Sequence, residues 1–248
     1  MTPFFELINA TPIAYLACFA AILVSSATHR VTGQAFGLIC APLVALAAPA
    51  HIPALILLCG LPVMMYSFKG DWSEIRWGEI SYAFAGRVVG ALVAATIIAI
   101  IADKNFISIC VGISVLLGVA ISLTNFAIAI NPVSLIAAGF LSGAMATLTS
   151  VGAPPMALLY QRASFGHVRA TLNAFFLFGA LASVGALLIY RLINRSDVAL
   201  TVALLPSIWL GTVTGDIALK RLTIKSLRPF TLTISVIAAV ALILRTLW

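Results

Sequence analysis

The chain has 248 residues, of which 62% are hydrophobic and only 8% are charged, whereas soluble domains carry about 25% charged residues. This composition excludes an ordinary soluble globular protein and predicts an integral membrane protein. The net charge of +7 comes from 14 Lys and Arg against 7 Asp and Glu. Because the positive residues stand singly or in short clusters between apolar runs, they fit the loops of a membrane protein and do not indicate nucleic-acid binding.

Apolar runs bounded by charges, glycines and prolines predict ten helices. In chain order they cover residues 8–28, 34–48, 53–68, 79–102, 105–123, 133–149, 154–161, 166–192, 197–218 and 228–247. A full span needs about 20 apolar residues, so the second and seventh helices, about 22 Å and 12 Å long at roughly 1.5 Å per residue, are predicted to be half-helices. The expected fold is an all-α polytopic membrane protein with about 8–10 transmembrane or half-spanning helices.

The same order of elements recurs in residues 1–124 and 125–248. Each half holds an interrupted segment, THRVTGQAFGLICAPLVALAAP in the first and TLTSVGAPPMALLYQ in the second. A long span follows, then a span with a GxxxG pair (Gly86/Gly90 and Gly211/Gly215), then a last apolar helix. Five elements per half predict two inverted repeats within one membrane domain, and paired broken helices in such repeats indicate a transporter binding site.

These segments resemble a known family. The first break followed by PLVAL, together with GFLSGAMATLTSVGAPPMALLYQ and RATLNAFFLFGALASVGALL, is similar to the TauE/SafE sulfite exporter family, also called the toluene sulfonate uptake permease family. The resemblance runs from about residue 12 to residue 247. Members typically have Gly-Gly-Pro-Pro in the second break, where this chain has Gly-Ala-Pro-Pro at 152–155. The resemblance implies a small permease that moves sulfite, thiosulfate or organosulfonate anions across the bacterial inner membrane.

The second break can also be interpreted from its backbone chemistry, without the family resemblance. Pro154 and Pro155 disfavour helix before them, which predicts a joint at 151–153 and a helix that starts at Pro154. The joint must be buried or line a polar cavity, because unpaired backbone groups cannot face lipid. A helix that begins in mid-membrane offers N–H groups and a positive dipole end to an anion. The candidate substrate-binding residues of this segment are Thr147, Ser150, Gly152, Ala153 and Gln161.

The first break offers Thr32, Gly33 and Gln34 as the matching candidate residues. Two isolated polar residues, Arg87 and Asn173, complete the candidates. Arg87 lies within an apolar helix, where a charge indicates function by default, although it could instead reach the membrane surface or pair with Glu79. Asn173 lies near the start of the eighth helix.

Purely structural roles are the alternatives to these functional interpretations. Glycines in membrane helices commonly permit close packing, and the hydroxyls of Thr147 and Ser150 could satisfy backbone carbonyls of a broken helix. His29 and Arg30 before the first break could attract an anion, couple a proton or simply lie in a loop. For Asp216, a local ion pair at the helix end is favoured over a proton site.

The predicted function is secondary transport of small sulfur-containing anions by alternating access, and the alternatives are a passive anion channel or a permease for another small organic anion. HExxH, GxSxG and paired intramembrane Asp residues are missing from the sequence, so an enzyme is not expected. No cofactor or metal site is predicted. The expected partners are the anion, membrane lipid and, if the GxxxG pairs join chains, further copies in a homo-oligomer.

The positive residues also predict the orientation. One side collects Arg30, Lys69, Arg76, Arg162, Arg169, Lys220, Arg221, Lys225 and Arg228, and the other collects Lys104, Arg191, Arg195 and Arg245. The richer side is expected in the cytoplasm, with both termini in the periplasm.

Overall fold

The computed structural model describes residues 12–68, 72–101, 103–123, 128–161, 165–220 and 224–247. These residues form ten α-helices and two short 3-10 turns, Pro49–His51 and Trp72–Glu74, without a strand among them. The helices are α1 Pro12–Thr32, α2 Phe36–Ala47, α3 Ala54–Ser67, α4 Trp77–Ile101, α5 Lys104–Leu123, α6 Pro132–Thr149, α7 Ala153–Tyr160, α8 Phe165–Ile189, α9 Arg195–Leu219 and α10 Ile224–Leu247. The predicted all-α fold is confirmed.

Seven of these helices are long and apolar enough to cross a membrane: α1, α4, α5, α6, α8, α9 and α10. The helices α2 and α7 have 12 and 8 residues, which agrees with their prediction as half-helices. The chain is therefore a multi-pass membrane protein, with long spans surrounding short helices that follow the two breaks.

The first helix continues further than predicted. It ends at Thr32 and not at residue 28, because the polar pair that suggested an end is accommodated within the bundle: His29 is buried, and the Arg30 Nε lies 2.5 Å from the Asp216 carboxylate of α9. The helix stops where Gly33 adopts a φ of +78°, a left-handed conformation that glycine tolerates.

Glycines bring α4 and α6 into close contact. A Cβ at Gly139 would lie 1.9 Å from the carbonyl oxygen of Ala83, and one at Gly143 would lie 2.2 Å from that of Arg87. Both contacts advance by four residues along each helix, so α4 and α6 run parallel. The glycines thus permit close helix packing, as the structural interpretation of the GxxxG pattern predicted.

The same arrangement joins α9 to α1. A Cβ at Gly211 would lie 2.5 Å from the carbonyl oxygen of Leu23, and one at Gly215 would lie 2.8 Å from that of Ala27. These contacts also advance by four residues together, so α9 and α1 run parallel and share a closely packed seam.

Each broken segment folds back as a hairpin. The Tyr160 hydroxyl at the end of α7 donates to Glu79 near the start of α4 at 2.5 Å, so α7 returns toward the level at which α6 begins. In the first half, the Arg245 guanidinium donates to the Leu46 carbonyl near the end of α2. His51 Nδ1, just beyond α2, lies 2.6 Å from Asp197 near the start of α9, which places the end of α2 near the level at which α1 begins.

The two hairpins enter the bundle from opposite ends. The Thr96 hydroxyl near the end of α4 donates to the Tyr190 hydroxyl at 2.7 Å, and α9 begins five residues after Tyr190. The start of α9 therefore lies beside the end of α4. Because α1 runs with α9 and α6 runs with α4, the hairpin α1–α2 and the hairpin α6–α7 point toward each other.

Candidate functional site

The two breaks meet inside the bundle. A Cβ at Gly37, in the first turn of α2, would lie 2.0 Å from the carbonyl oxygen of Ser150 in the second break. A cavity of about 40 Å³ lies at this junction, and since one water needs roughly 10–15 Å³ of such volume, it has room for a few waters or a small oxyanion. Its polar lining comes from His29, Gln34, Arg87, Ser150, Gly152 and Ala153.

The second break is held by local hydrogen bonds. Ser150 adopts a left-handed φ of +62°, and its N–H donates to the Ala146 carbonyl at 2.8 Å. The Thr149 hydroxyl donates to the Met145 carbonyl at 2.7 Å and accepts from the N–H of Val151 at 3.3 Å. The helix α7 then begins at Ala153, one residue earlier than predicted, so the non-helical joint is 150–152. The hydroxyl of Thr149 therefore stabilises the backbone conformation of the break.

Arg87 of α4 is fixed beside this break. Its Nη1 donates to the Ser142 hydroxyl at 2.5 Å, and that hydroxyl donates to the Gly152 carbonyl at 2.5 Å. The guanidinium carbon lies 5.0 Å from the ring centroid of Phe175 and 5.9 Å from that of Phe176, distances at which a cation interacts with an aromatic face. The side chain is thus held by one helix on each side.

The charge of Arg87 has no carboxylate partner among the described residues. The residue is 2% exposed and its Nε finds no hydrogen-bond acceptor there. Glu79 instead pairs with Arg76 at 2.9 Å, so neither pairing with Glu79 nor reaching the membrane surface describes Arg87. Gly179 of α8 leaves the space for the guanidinium, because a Cβ there would lie 1.8 Å from Nε. A buried cation with an unpaired N–H donor is a natural site for an anion.

The first break uses two of its predicted residues for its own shape. The N–H of Gly33 donates to the His29 carbonyl at 2.6 Å. The Thr32 hydroxyl donates to the Thr28 carbonyl at 2.9 Å and accepts from the N–H of Ala35 at 3.3 Å. Thr32 and Gly33 do not line the cavity, whereas the next residue, Gln34, does.

His29, for which the sequence left anion attraction, proton coupling and a loop position open, lies in the cavity lining. Its ring is 1% exposed, it lines the cavity, and neither ring nitrogen has a hydrogen-bond partner among the described residues. The Oε1 of Gln34 is buried without a partner in the same way. The signal that could have indicated His29 is its position four residues before Gly33, which puts it one helical turn below the break.

Three further predicted residues, in addition to Thr32 and Gly33, lie outside the cavity lining. The Thr147 hydroxyl donates to the Ser183 hydroxyl at 2.8 Å, and the exposed Gln161 amide donates to the Ile121 carbonyl at 3.1 Å. Asn173 donates to the Ser67 carbonyl at 3.5 Å, and its Oδ1 would lie 3.3 Å from a Cβ at Gly33. Asn173 therefore lies beside the first break, and the other two stabilise contacts between helices.

A charged network lies at the tip of the first hairpin. Asp216 of α9 accepts from Arg30 Nε and from the Tyr66 hydroxyl, each at 2.5 Å. Arg169 of α8 donates to the Arg30 carbonyl at 3.0 Å. The ion pair of Asp216 is therefore made with the neighbouring helix α1, whereas the favoured prediction was a local pair at the end of its own helix.

The model of the sulfite exporter TauE/SafE family matches residues 17–242 of the chain. No curated protein and no solved structure matches the chain. The matched range runs from α1 to α10 and includes both breaks, the GxxxG seams and every residue of the cavity lining. Because that match covers nearly the whole bundle, the chain belongs to the TauE/SafE sulfite exporter family, whose members are membrane transporters of sulfite-type anions.

Proposed function

We propose that the protein carries small sulfur-containing oxyanions, such as sulfite, thiosulfate or short sulfonates, across the bacterial inner membrane, and binds them in the cavity between the two breaks. The observation that carries the proposal is Arg87, a cation that is 2% exposed and has no carboxylate partner among the described residues. A buried charge without a partner is costly, and a substrate anion would compensate it.

The second break adds neutral donors to this charge. The N–H groups in the first turn of a helix have no partner within the helix, and the dipole of α7 directs its positive end toward the cavity. Pro154 and Pro155 have no N–H, so the donors nearest the cavity are those of Gly152 and Ala153. Arg87 and these N–H groups together would replace part of the hydration shell that an oxyanion loses in the membrane.

We also propose that residues 1–124 and 125–248 are inverted repeats that exchange access to the cavity. Two observations support this: the hairpins enter from opposite ends, and the equivalent helices α4 and α9 use equivalent glycine pairs against α6 and α1. Rocking of one hairpin against the other would open the cavity to one side at a time. With the positive-inside rule, the proposal places the α3–α4 connection in the cytoplasm and both termini in the periplasm.

Ligand-dependent thermal stability of the detergent-purified protein tests the proposal. Sulfite, thiosulfate and short sulfonates are expected to raise the melting temperature with concentration, because they bind the folded state, whereas phosphate and carboxylates are the comparison anions. In Gly152→Leu the added side chain would enter the space beside Ala146 and the Arg87 Nη1, which lie 2.7 and 3.0 Å from a Cβ at this position. The response is expected to disappear in this variant.

The matched control is Gly185→Leu, because a Cβ at Gly185 meets no atom within 4 Å. This variant should keep the full response. A folded parent that responds to none of the sulfur anions would contradict the proposed substrate class. Saturable flux in proteoliposomes is expected of a carrier, and flux that rises linearly with anion concentration would favour the channel alternative.

A further inference from the structure

We infer that the cavity recognises monoanions that carry their own hydrogen-bond donor, such as hydrogensulfite, and that His29 and Gln34 accept the hydrogen bond from that donor. The inference rests on the proposed function and narrows its substrate class. It follows from three features of the cavity: its charge, its unpartnered acceptors and its size.

The charge of the lining fits one negative charge. Arg87 is the only permanently charged side chain among the described residues that line the cavity, and no carboxylate is among them. A monoanion would balance this charge, whereas a dianion would leave one negative charge uncompensated in a buried, weakly polar environment. The lining therefore favours hydrogensulfite over fully deprotonated sulfite or sulfate.

The second feature is that the lining presents acceptors as well as donors. A neutral imidazole has one N–H and one bare nitrogen in either tautomer, and the amide oxygen of a glutamine can only accept. Both ring nitrogens of His29 and the Oε1 of Gln34 are buried without a hydrogen-bond partner among the described residues. Leaving such acceptors unpaired is unfavourable.

An oxyanion that has only acceptor oxygens can satisfy Arg87 and the N–H of His29, but it cannot satisfy the bare ring nitrogen of His29 or the Oε1 of Gln34. An oxyanion with an O–H or N–H group can satisfy both sets at once. The two sets come from different breaks, since Arg87 contacts the second break and His29 and Gln34 belong to the first. Because the cavity has a volume of only about 40 Å³, one small ligand would contact both sets and hold the two hairpins together.

Sulfamate and methanesulfonate separate this effect from charge and shape. Both are monoanions with a tetrahedral sulfur that bears three oxygens, and they differ in an NH₂ group against a CH₃ group. Dissociation constants are measured by calorimetry on the full-length protein in detergent at one pH. Sulfamate is expected to bind the parent about five- to tenfold more tightly than methanesulfonate, as one additional hydrogen bond to a buried acceptor predicts.

The variants His29→Leu and Gln34→Leu assign the preference to residues. Each is expected to reduce the ratio of the two dissociation constants, and the double variant should bring it to about one. Ser26→Ala is the matched control, because Ser26 lies on the same helix, its hydroxyl is likewise buried without a partner, and it does not line the cavity. It should keep the ratio of the parent.

The outcomes distinguish the inference from the proposed function. Equal binding of both anions by the parent would overturn the inference while leaving sulfur-anion transport in place. A preference that survives in His29→Leu and in Gln34→Leu would show that other atoms recognise the donor. A folded parent that binds neither these two anions nor sulfite would contradict the proposed function itself. If one variant fails to fold, the other variant and the parent ratio still decide.

Discussion

Arg87 is held by a serine and two aromatic faces, and all of these contacts leave its charge uncompensated. The Ser142 hydroxyl is already committed to the Gly152 carbonyl, and the rings of Phe175 and Phe176 offer no full negative charge. A structural arginine would be expected to pair with a carboxylate, as Arg76 does with Glu79. Under the proposed function, Arg87 remains unpaired at a cost in stability because its charge is used to bind the anion.

Replacing Arg87 is expected to change the stability of the protein and its anion binding in opposite directions. In Arg87→Met, the protein without substrate is expected to be as stable as the parent or more stable by about 1–4 kcal/mol, because an uncompensated buried charge is removed and the volume is largely kept. The stabilisation by sulfur anions should be lost. Both quantities come from denaturation in detergent with and without anion.

The same replacement at Arg76 is the control. Arg76 has a side chain that is 48% exposed and belongs to a surface ion pair, so Arg76→Met should keep the anion response. A large loss of stability in Arg87→Met, with the anion response retained, would mean that the arginine is structural.

The seam between α4 and α6 depends on backbone contact between the helices. Gly86, Gly90, Gly139 and Gly143 each lack the Cβ that would lie 1.9–2.2 Å from a carbonyl oxygen of the opposite helix. Small residues that permit such approach are the usual means of packing helices in membranes, where the hydrophobic effect does not bring helices together. This seam also positions Arg87, because α4 carries the arginine and α6 carries Ser142.

Gly139→Ala is therefore expected to destabilise the protein by about 1–3 kcal/mol, since a methyl group 1.9 Å from the Ala83 carbonyl forces the helices apart. Gly185→Ala is the control on α8, where a Cβ meets no atom within 4 Å. It should be neutral or stabilising by up to about 1 kcal/mol through helix propensity. Unfolding of both variants in detergent checks this, and equal stability of the two would refute the close seam.

The arrangement of the bundle makes a prediction about its orientation in the membrane. Ser73 lies just before α4 and Asn105 lies just after it, both exposed, so the two residues mark opposite ends of one span. The positive-inside rule puts Ser73 in the cytoplasm and Asn105 outside.

Cysteine labelling tests this orientation in intact cells. A membrane-impermeant thiol reagent is expected to label Asn105→Cys in intact cells and Ser73→Cys only after the membrane is permeabilised. The parent, whose four cysteines all lie in helices of the bundle, provides the background signal. The reverse labelling pattern would invert the orientation, and labelling of both positions in intact cells would contradict a full span by α4.

The number, order and approximate limits of the helices followed from the sequence, because each depends on local composition. Apolar runs of sufficient length must bury their backbone as helix in a membrane, and Gly33 and the pair Pro154 and Pro155 interrupt helices through their own backbone geometry. The isolated charge of Arg87 was also visible locally. The family followed from the same segments, since the two broken helices carry the resemblance.

The contacts that make the site depend on folding. His29 and Arg87 are 58 positions apart, and they line one cavity because the two hairpins enter from opposite ends and meet at Gly37 and Ser150. Thr147 and Gln161 have side chains suited to anion binding. The rotation of α6 about its axis directs Thr147 to Ser183, and the position at which α7 ends directs Gln161 to Ile121. Local composition determines where a helix breaks, whereas the packing of distant helices determines which side chains face the break, because that direction depends on partners that lie far away in the chain.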